Sequence, residues 1–307
     1  MSKEKQKLRV GNRTLEVSNL EKVFYPETGF TKGDVIEYYK AVAPAVVPHL
    51  KGRPVTLKRY PNGVDDKFFY EKRCPPHRPE WIKTITMRRQ RDQKDVEYCA
   101  IPNAAALVWA ANLANLELHA SLARENDLRR PTSLVFDLDP GPPADVITCA
   151  GVALKIRALL EDLDLDSVCK TSGSKGLQLY VPLNTKVTYD ETSPFAHAIA
   201  LELEKRHPDL IVSKMAKELR TDKVFIDWSQ NADHKTTVSV YSLRARPTPT
   251  ASTPVTWDEL RRAARSKNPA KLTFEGRAVL KRLDSRGDLF EPARKLKQKL
   301  PPIPDFS

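Results

Sequence analysis

Alternation of apolar and polar positions gives the first divisions of the chain. In LVFDLD, residues 134–139, Phe136 and Leu138 fall on one face of an extended segment while Asp137 and Asp139 share the other, because successive strand side chains point to opposite sides. KVFIDWSQN, residues 223–231, repeats the pattern: Val224, Ile226 and Trp228 lie on one side, Phe225 and Asp227 on the other. Strand-like character also flanks the polar turn in KTSGSKGLQLYVPL (170–183), and TTVSVYSL reads as another strand. Helical spacing appears in TKGDVIEYYKAVA, where Thr31 can cap, Asp34 sits three residues on, and Val35, Tyr38, Tyr39 and Val42 form an apolar stripe. Pro44 is expected to end that helix. Val152, Ile156, Leu159, Leu160 and Leu163 predict an amphipathic helix from about Ala144 to Asp162, and a further helix is predicted near Pro194 to Arg206. Strands that alternate with such helices predict a sheet covered by helices.

Proline-rich and charged punctuation separates three regions, residues 1–130, 131–246 and 247–307. The last opens on the linker-like RPTPTASTP, continues as short basic helices and ends in a Pro-rich tail expected to be mobile. The 307 residues are 40% hydrophobic and 29% charged, enough for a sizeable core. Lys and Arg outnumber Asp and Glu by 51 to 39, a net +12, which favours a polyanionic partner. No apolar stretch approaches the roughly 18 residues that span a bilayer, and the N-terminal residues lack a signal-like apolar core, so a cytoplasmic location is expected. Cys74, Cys99, Cys149 and Cys169 form no C-x-x-C pair, and reduced thiols are expected.

Two carboxylates held side by side repel, and a divalent cation with oxygen ligands is one way to keep both ionised. Two solvated aspartates at a strand end are the simpler alternative. A third strand-end carboxylate, Asp227, would complete a site for two metal ions of the kind used in phosphoryl transfer. The sequence does not establish that Asp227 reaches the pair. The Ser/Gly-rich turn carrying Ser172 and Lys175 does not match a P-loop, because a strand rather than a helix follows it. It can still present backbone amides, a hydroxyl and an ammonium to phosphate oxygens, or be an ordinary hairpin turn.

FDLDPG, TSGSKGLQLYVPL, VFIDWSQN and YSLRARP, in this order and spacing, resemble the polymerase domain of bacterial DNA ligase D and its stand-alone relatives in the archaeo-eukaryotic primase superfamily. The resemblance extends through NLEKVFYPETGFTKGDVIEYY, GRPVTLKRYPNG, Phe68-Phe69 and LELHAS. It implies a two-lobe primase-polymerase fold, α+β, whose mainly antiparallel central sheet is related to the RNA-recognition fold and is flanked by helices. The implied lobes are 1–130, with basic residues for DNA, and 131–246, the catalytic one; the C-terminal helices are expected to pack on the catalytic unit.

Asp137, Asp139 and Asp227 are implied to hold two Mn²⁺ or Mg²⁺ ions for nucleotidyl transfer from a nucleoside triphosphate to a primer 3′ hydroxyl. Ser172, Lys175, Arg244, His119 and Lys58 match nucleotide-binding positions, and Phe68 and Phe69 stand where the family stacks an aromatic ring on the base. Asn19, Lys22 and Lys32 match a pocket for the 5′ phosphate across a gap. The implied substrate is gapped or broken double-stranded DNA, with a DNA ligase and a Ku-like end-binding protein as partners, a ribonucleotide preference and association with the nucleoid.

Gln178 departs from the family pattern, which has histidine there; a weaker triphosphate contact, or another cation in its place, is the implied consequence. The Arg- and Lys-rich segment 74–95 is a candidate template-contacting loop. Two other readings compete. A basic end-bridging module would keep the fold and bind DNA without synthesis. An aspartate-nucleophile phosphatase would also use D-x-D, but Pro140-Gly141 stands where Gly-Thr is expected.

Overall fold

Asp137, Asp139 and Asp227 lie in a six-stranded sheet whose strand order is Ile211–Val212, Val224–Asp227, Ser133–Pro140, Leu177–Pro182, Val168–Thr171, Pro254–Val255. A computed structural model describes residues 5–88 and 94–306. All neighbours in this sheet are antiparallel except Ile211–Val212 against Val224–Asp227. Phe136, Leu138, Leu177, Leu179 and Ile226 are buried against Val152, Ile156 and Leu160 of the helix Val146–Glu161 and Phe195, Ile199 and Leu203 of the helix Tyr189–Arg206. The alternation in LVFDLD and VFID is thus the imprint of one covered face.

Asp145 caps the first of these helices by accepting from the amides of Ile147 and Thr148. The second begins five residues before Pro194, at Tyr189, behind a capping box formed by Thr188 and Glu191. The sheet, its helices and the C-terminal residues make one compact unit, comprising Asp127–Lys235, Thr253–Phe274 and the chain from Asp288 onward.

The other unit takes the chain up to Asn126 together with Thr236–Ser252 and Glu275–Gly287. Its sheet runs Thr237–Val238, Asn115–Ala120, Val55–Arg59, Asp95–Cys99, Thr84–Arg88, with Phe69–Glu71 also paired to Val55–Arg59. The two units replace the three consecutive regions expected from the sequence. Thr237 and Val238 pair with Ala120 and His119, which returns the chain to the N-terminal unit. The C-terminal helices are divided as well: Gly276–Arg286 belongs with the N-terminal unit and lies against Tyr38, while Trp257–Ser266 belongs with the six-stranded sheet.

Three further expectations are corrected. The helix capped by Thr31 does not stop at Pro44 but runs from Lys32 to Leu50 through both Pro44 and Pro48. An internal proline costs about 3 kcal/mol, and burial of Val35, Tyr38, Tyr39, Val42, Val46 and Leu50 on one face offsets it. Cys74 and Cys99 form a disulfide instead of free thiols; the Cys74 amide donates to the Glu97 carbonyl, which lays that loop beside the strand. The Pro-rich tail is tied down rather than loose: Gln298 bonds Asp166 and Pro182, its amide donates to Leu183, and Phe306 packs on the core. Residues 89–93 of the candidate template loop lie outside the described residues.

Candidate active site

Residues directly opposite one another in adjacent strands project to the same face of a sheet. Lys170 is opposite Gln178, Gln178 is opposite Asp137, and Asp137 is opposite Asp227. One transverse row of polar side chains therefore crosses four strands on the face away from the buried helices. Asp139, two residues beyond Asp137, lies on that face too and is exposed.

Within the row the Lys170 ammonium donates to Gln178 Oε1 at 2.5 Å, and Gln178 Nε2 donates to Asp137 Oδ2 at 2.9 Å. Burial, followed by the charge of Asp139, pushes the Asp137 carboxyl up to about 7; Asp227 adds to this, while the Gln178 bond and Lys170 oppose it. Asp227 caps the short turn that follows it. Its Oδ1 accepts from the Ser229 amide and hydroxyl, and its Oδ2 accepts from Gln230 Nε2. Among the described residues no three metal-binding side chains are already gathered as a cage. The donor set is nevertheless three carboxylates converging on one face, whose mutual repulsion is visible at Asp137 and whose oxygens suit a hard divalent cation.

Asn231, fully buried, fixes the turn to the central strand: its Nδ2 donates to Val135 O and its Oδ1 accepts from the Val135 amide. The SGSKG turn sits against the same strand. An added Cβ at Gly176 would lie 1.9 Å from Leu138 O, between the two aspartates in sequence. Gly141 closes the other end, where a Cβ would meet Arg220 O at 1.9 Å. Ser172 Oγ accepts from the amides of Ser174 and Gly176, so the hydroxyl organises the turn, while Lys175 stands exposed at its tip.

In the other unit a second row carries Tyr70, Lys58 and Glu117 across three strands. Glu117, only 2% exposed, accepts from Lys58 Nζ at 3.3 Å, Tyr60 OH at 3.2 Å and the Ala245 amide, and pairs with Arg244 Nε at 3.2 Å. His119 Nε2 lies 2.9 Å from its Oε2. An ionised carboxylate only accepts, so Nε2 carries the hydrogen. Burial alone would raise the Glu117 pKa; the His119 hydrogen bond and the Arg244, His119 and Lys58 charges outweigh it and hold the carboxyl well below its usual range. Burial lowers the His119 pKa, against the pull of Glu117. With His119 neutral near pH 7, Lys58 and Arg244 supply the positive charge of the cluster.

Phe68 and Phe69 point to different neighbours. Lys58 Nζ lies 4.3 Å from the Phe68 ring centroid and 5.3 Å from that of Tyr70, whereas Phe69 covers Arg59. Phe68, Phe69 and Tyr70 are 50%, 42% and 55% exposed, so none is core. Asn19, Lys22 and Lys32 come together around one hairpin, the Lys32 amide donating to Lys22 O and the Lys22 amide to Asn19 O. Lys22 Nζ is held by Pro61 O and Asn62 Oδ1, and the buried Lys32 ammonium donates to Ser18 O.

Sequence reasoning missed Glu117, Tyr70, Lys170 and Asn231. Glu117 was within reach, since it stands two residues before His119 in a strand-like alternation and must share its face. Lys170 and Asn231 offered no such signal, because their value comes from partners on other strands.

Residues 31–290 match the family model of the LigD primase-polymerase domain. The chain is 41% identical over 280 residues to the multifunctional non-homologous end joining protein LigD of Mycolicibacterium smegmatis, covering 91% of this chain and 36% of that protein. It is 30% identical over 274 residues to the bifunctional non-homologous end joining protein LigD of Bacillus subtilis, covering 89% and 43%. It therefore spans well under half the length of these relatives. The solved polymerase domain of Mycobacterium tuberculosis ligase D in complex with DNA superposes with a TM-score of 0.84 at 39% identity, covering 92% of this chain and 99% of that one. No helix of the described residues is long and apolar enough to cross a membrane. The match sets aside the aspartate-phosphatase reading. Lying on one mainly antiparallel sheet, framed by two glycines that admit no side chain, the D-x-D strand and its neighbours are those of a nucleotidyltransferase fold, and the chain belongs to the LigD primase-polymerase domain family.

Proposed function

We propose that this protein extends a primer 3′ hydroxyl by nucleotidyl transfer, filling short gaps or processing ends in double-strand-break or excision repair. The observation that carries the reading is the register of Asp137 against Asp227, with Asp139 on the same face. Asp137, Asp139 and Asp227 would hold two divalent cations, Mn²⁺ or Mg²⁺, which when bound activate the 3′ hydroxyl and neutralise the triphosphate and leaving pyrophosphate. Gln178 and Asn231 keep the strand and its carboxylates in place. Lys175 and the turn organised by Ser172 are assigned to triphosphate oxygens, as are Lys58, Arg244 and His119.

Phe68 is assigned to base stacking because it shares surroundings with Lys58. Asn19, Lys22 and Lys32 are assigned to a 5′ phosphate. Gapped or broken duplex DNA is the proposed substrate, ribonucleotides the preferred monomers, and a DNA ligase and a Ku-like protein the proposed partners at the nucleoid. The net charge of +12 and the DNA bound in the M. tuberculosis structure support the nucleic-acid part.

The test is extension across a one-nucleotide gap with and without a downstream 5′ phosphate, comparing ribo- with deoxyribonucleotides. Faster addition with the phosphate and with ribonucleotides is expected. Binding without addition in any arm would favour the end-bridging module instead.

A further inference from the structure

Lys170 is the one member of the transverse row that the resemblance leaves without a role. Its side chain is fully buried, a rare environment for lysine unless the charge is engaged. An ammonium only donates, so Gln178 must turn its carbonyl oxygen toward Lys170; its NH₂ then necessarily faces Asp137, whose carboxylate only accepts. Reversing the amide would set two oxygens against each other and two donors against each other. The lysine thus fixes the sense of the glutamine, and the glutamine pins Oδ2 of Asp137, leaving Oδ1 for a ligand.

We propose that Lys170 and Gln178 act as one positioning unit that orients Asp137 for divalent-cation binding. A neutral imidazole carries one N–H whose tautomer adapts to a carboxylate and needs no lysine to choose it. The inference rests on the metal-dependent reading above.

The two roles open to Lys170 move metal affinity in opposite directions. As a charge alone it repels a dication, and its removal tightens binding. As the orienting partner its removal loosens binding, and outer-shell partners of metal ligands are worth about 10- to 100-fold in affinity. The experiment is Mn²⁺ titration of the full chain without DNA or nucleotide, read by the electron paramagnetic resonance of free Mn²⁺, with thermal unfolding as a check on folding.

Lys170→Met is expected to weaken Mn²⁺ binding by about tenfold or more. Gln178→Met, which leaves the lysine charge in place, should weaken it similarly. Lys170→Met combined with Gln178→His should recover most of the loss, a rescue that a purely structural lysine would not show. Lys170→Met binding Mn²⁺ as well as or better than the unmodified protein, Gln178→Met binding normally, or a double variant no better than Lys170→Met would each overturn the pairing while leaving the metal reading intact. Should Lys170→Met not fold, Gln178→Met alone decides between the outcomes. An unmodified protein that binds no Mn²⁺ would overturn the metal reading itself.

Discussion

Asp227 stands directly across the antiparallel pair from Asp137, so two carboxylates face one another at the position where a sheet is least tolerant of like charge. Asp139 adds a third on the same face, and Asp137 responds with a raised pKa. The row is proposed to hold a ligand. The cost of the repulsion should be measurable without one. Asp137→Asn, which retains an oxygen for Gln178 Nε2, is expected to stabilise the divalent-free protein at pH 8 by up to about 1 kcal/mol while eliminating nucleotide addition. Chemical denaturation with chelator present checks this, and a destabilised Asp137→Asn would mean that the carboxylate is needed for the fold.

Gly176 and Leu138 O approach so closely that no side chain fits between them. Gly176→Ala must therefore displace the SGSKG turn from the D-x-D strand. We expect a loss of about 1–3 kcal/mol, as for other overpacked sites, and a rise in KM for the nucleotide larger than any fall in kcat. Steady-state kinetics beside a denaturation curve test both. Unchanged stability would contradict the close contact.

Phe68 and Phe69 separate by neighbour, and their variants should separate by effect. Phe68→Ala is expected to raise KM for the nucleotide by about tenfold, within the ~1–3 kcal/mol typical of a stacked base. Phe69→Ala, beside Arg59, should leave KM within about twofold, a change below ~0.5 kcal/mol. The reverse ranking would assign the stack to Phe69.

The Glu117 cluster makes the N-terminal unit sensitive to acid. Both folded pKa values are depressed, His119 below 6.5 and Glu117 below 4.5. Each group therefore binds protons more readily in the unfolded chain. The His119 contribution is complete above pH 6.5 and lost as pH falls through its lowered value. The Glu117 contribution is complete above 4.5 and lost only in stronger acid. Between pH 7 and 5 protonation of His119 should lower Tm while proton uptake by Asp137, whose folded pKa is raised, acts the other way, so His119→Gln should remove the downward contribution to that slope while leaving the decline below 4.5. An unaltered slope between pH 7 and 5 in His119→Gln would exclude His119 as its source.

Much of this arrangement was legible in the residues, for identifiable reasons. Alternation placed Phe136 and Leu138 opposite Asp137 and Asp139, since period two is a property of any half-covered strand. Thr31 and Asp34 marked a helix start because the capping box is local, and it forms. Pro44 misled because a local penalty was overridden by tertiary burial of Val42, Val46 and Leu50. The Asp137–Asp227 register, the Cys74–Cys99 bridge and the Lys170–Gln178–Asp137 chain depend on which strands pair, and no spacing along the sequence encodes that.

The Asp137, Asp139 and Asp227 face is proposed to be a catalytic floor. Extension of a primer on a gapped duplex with Mn²⁺, run for the unmodified protein and for Asp137→Ala alongside a direct measurement of DNA affinity, tests it most directly. Addition is expected from the unmodified protein and none from Asp137→Ala, with DNA affinity within about twofold between them, a difference below ~0.5 kcal/mol. Addition by Asp137→Ala at a rate close to that of the unmodified protein would contradict it.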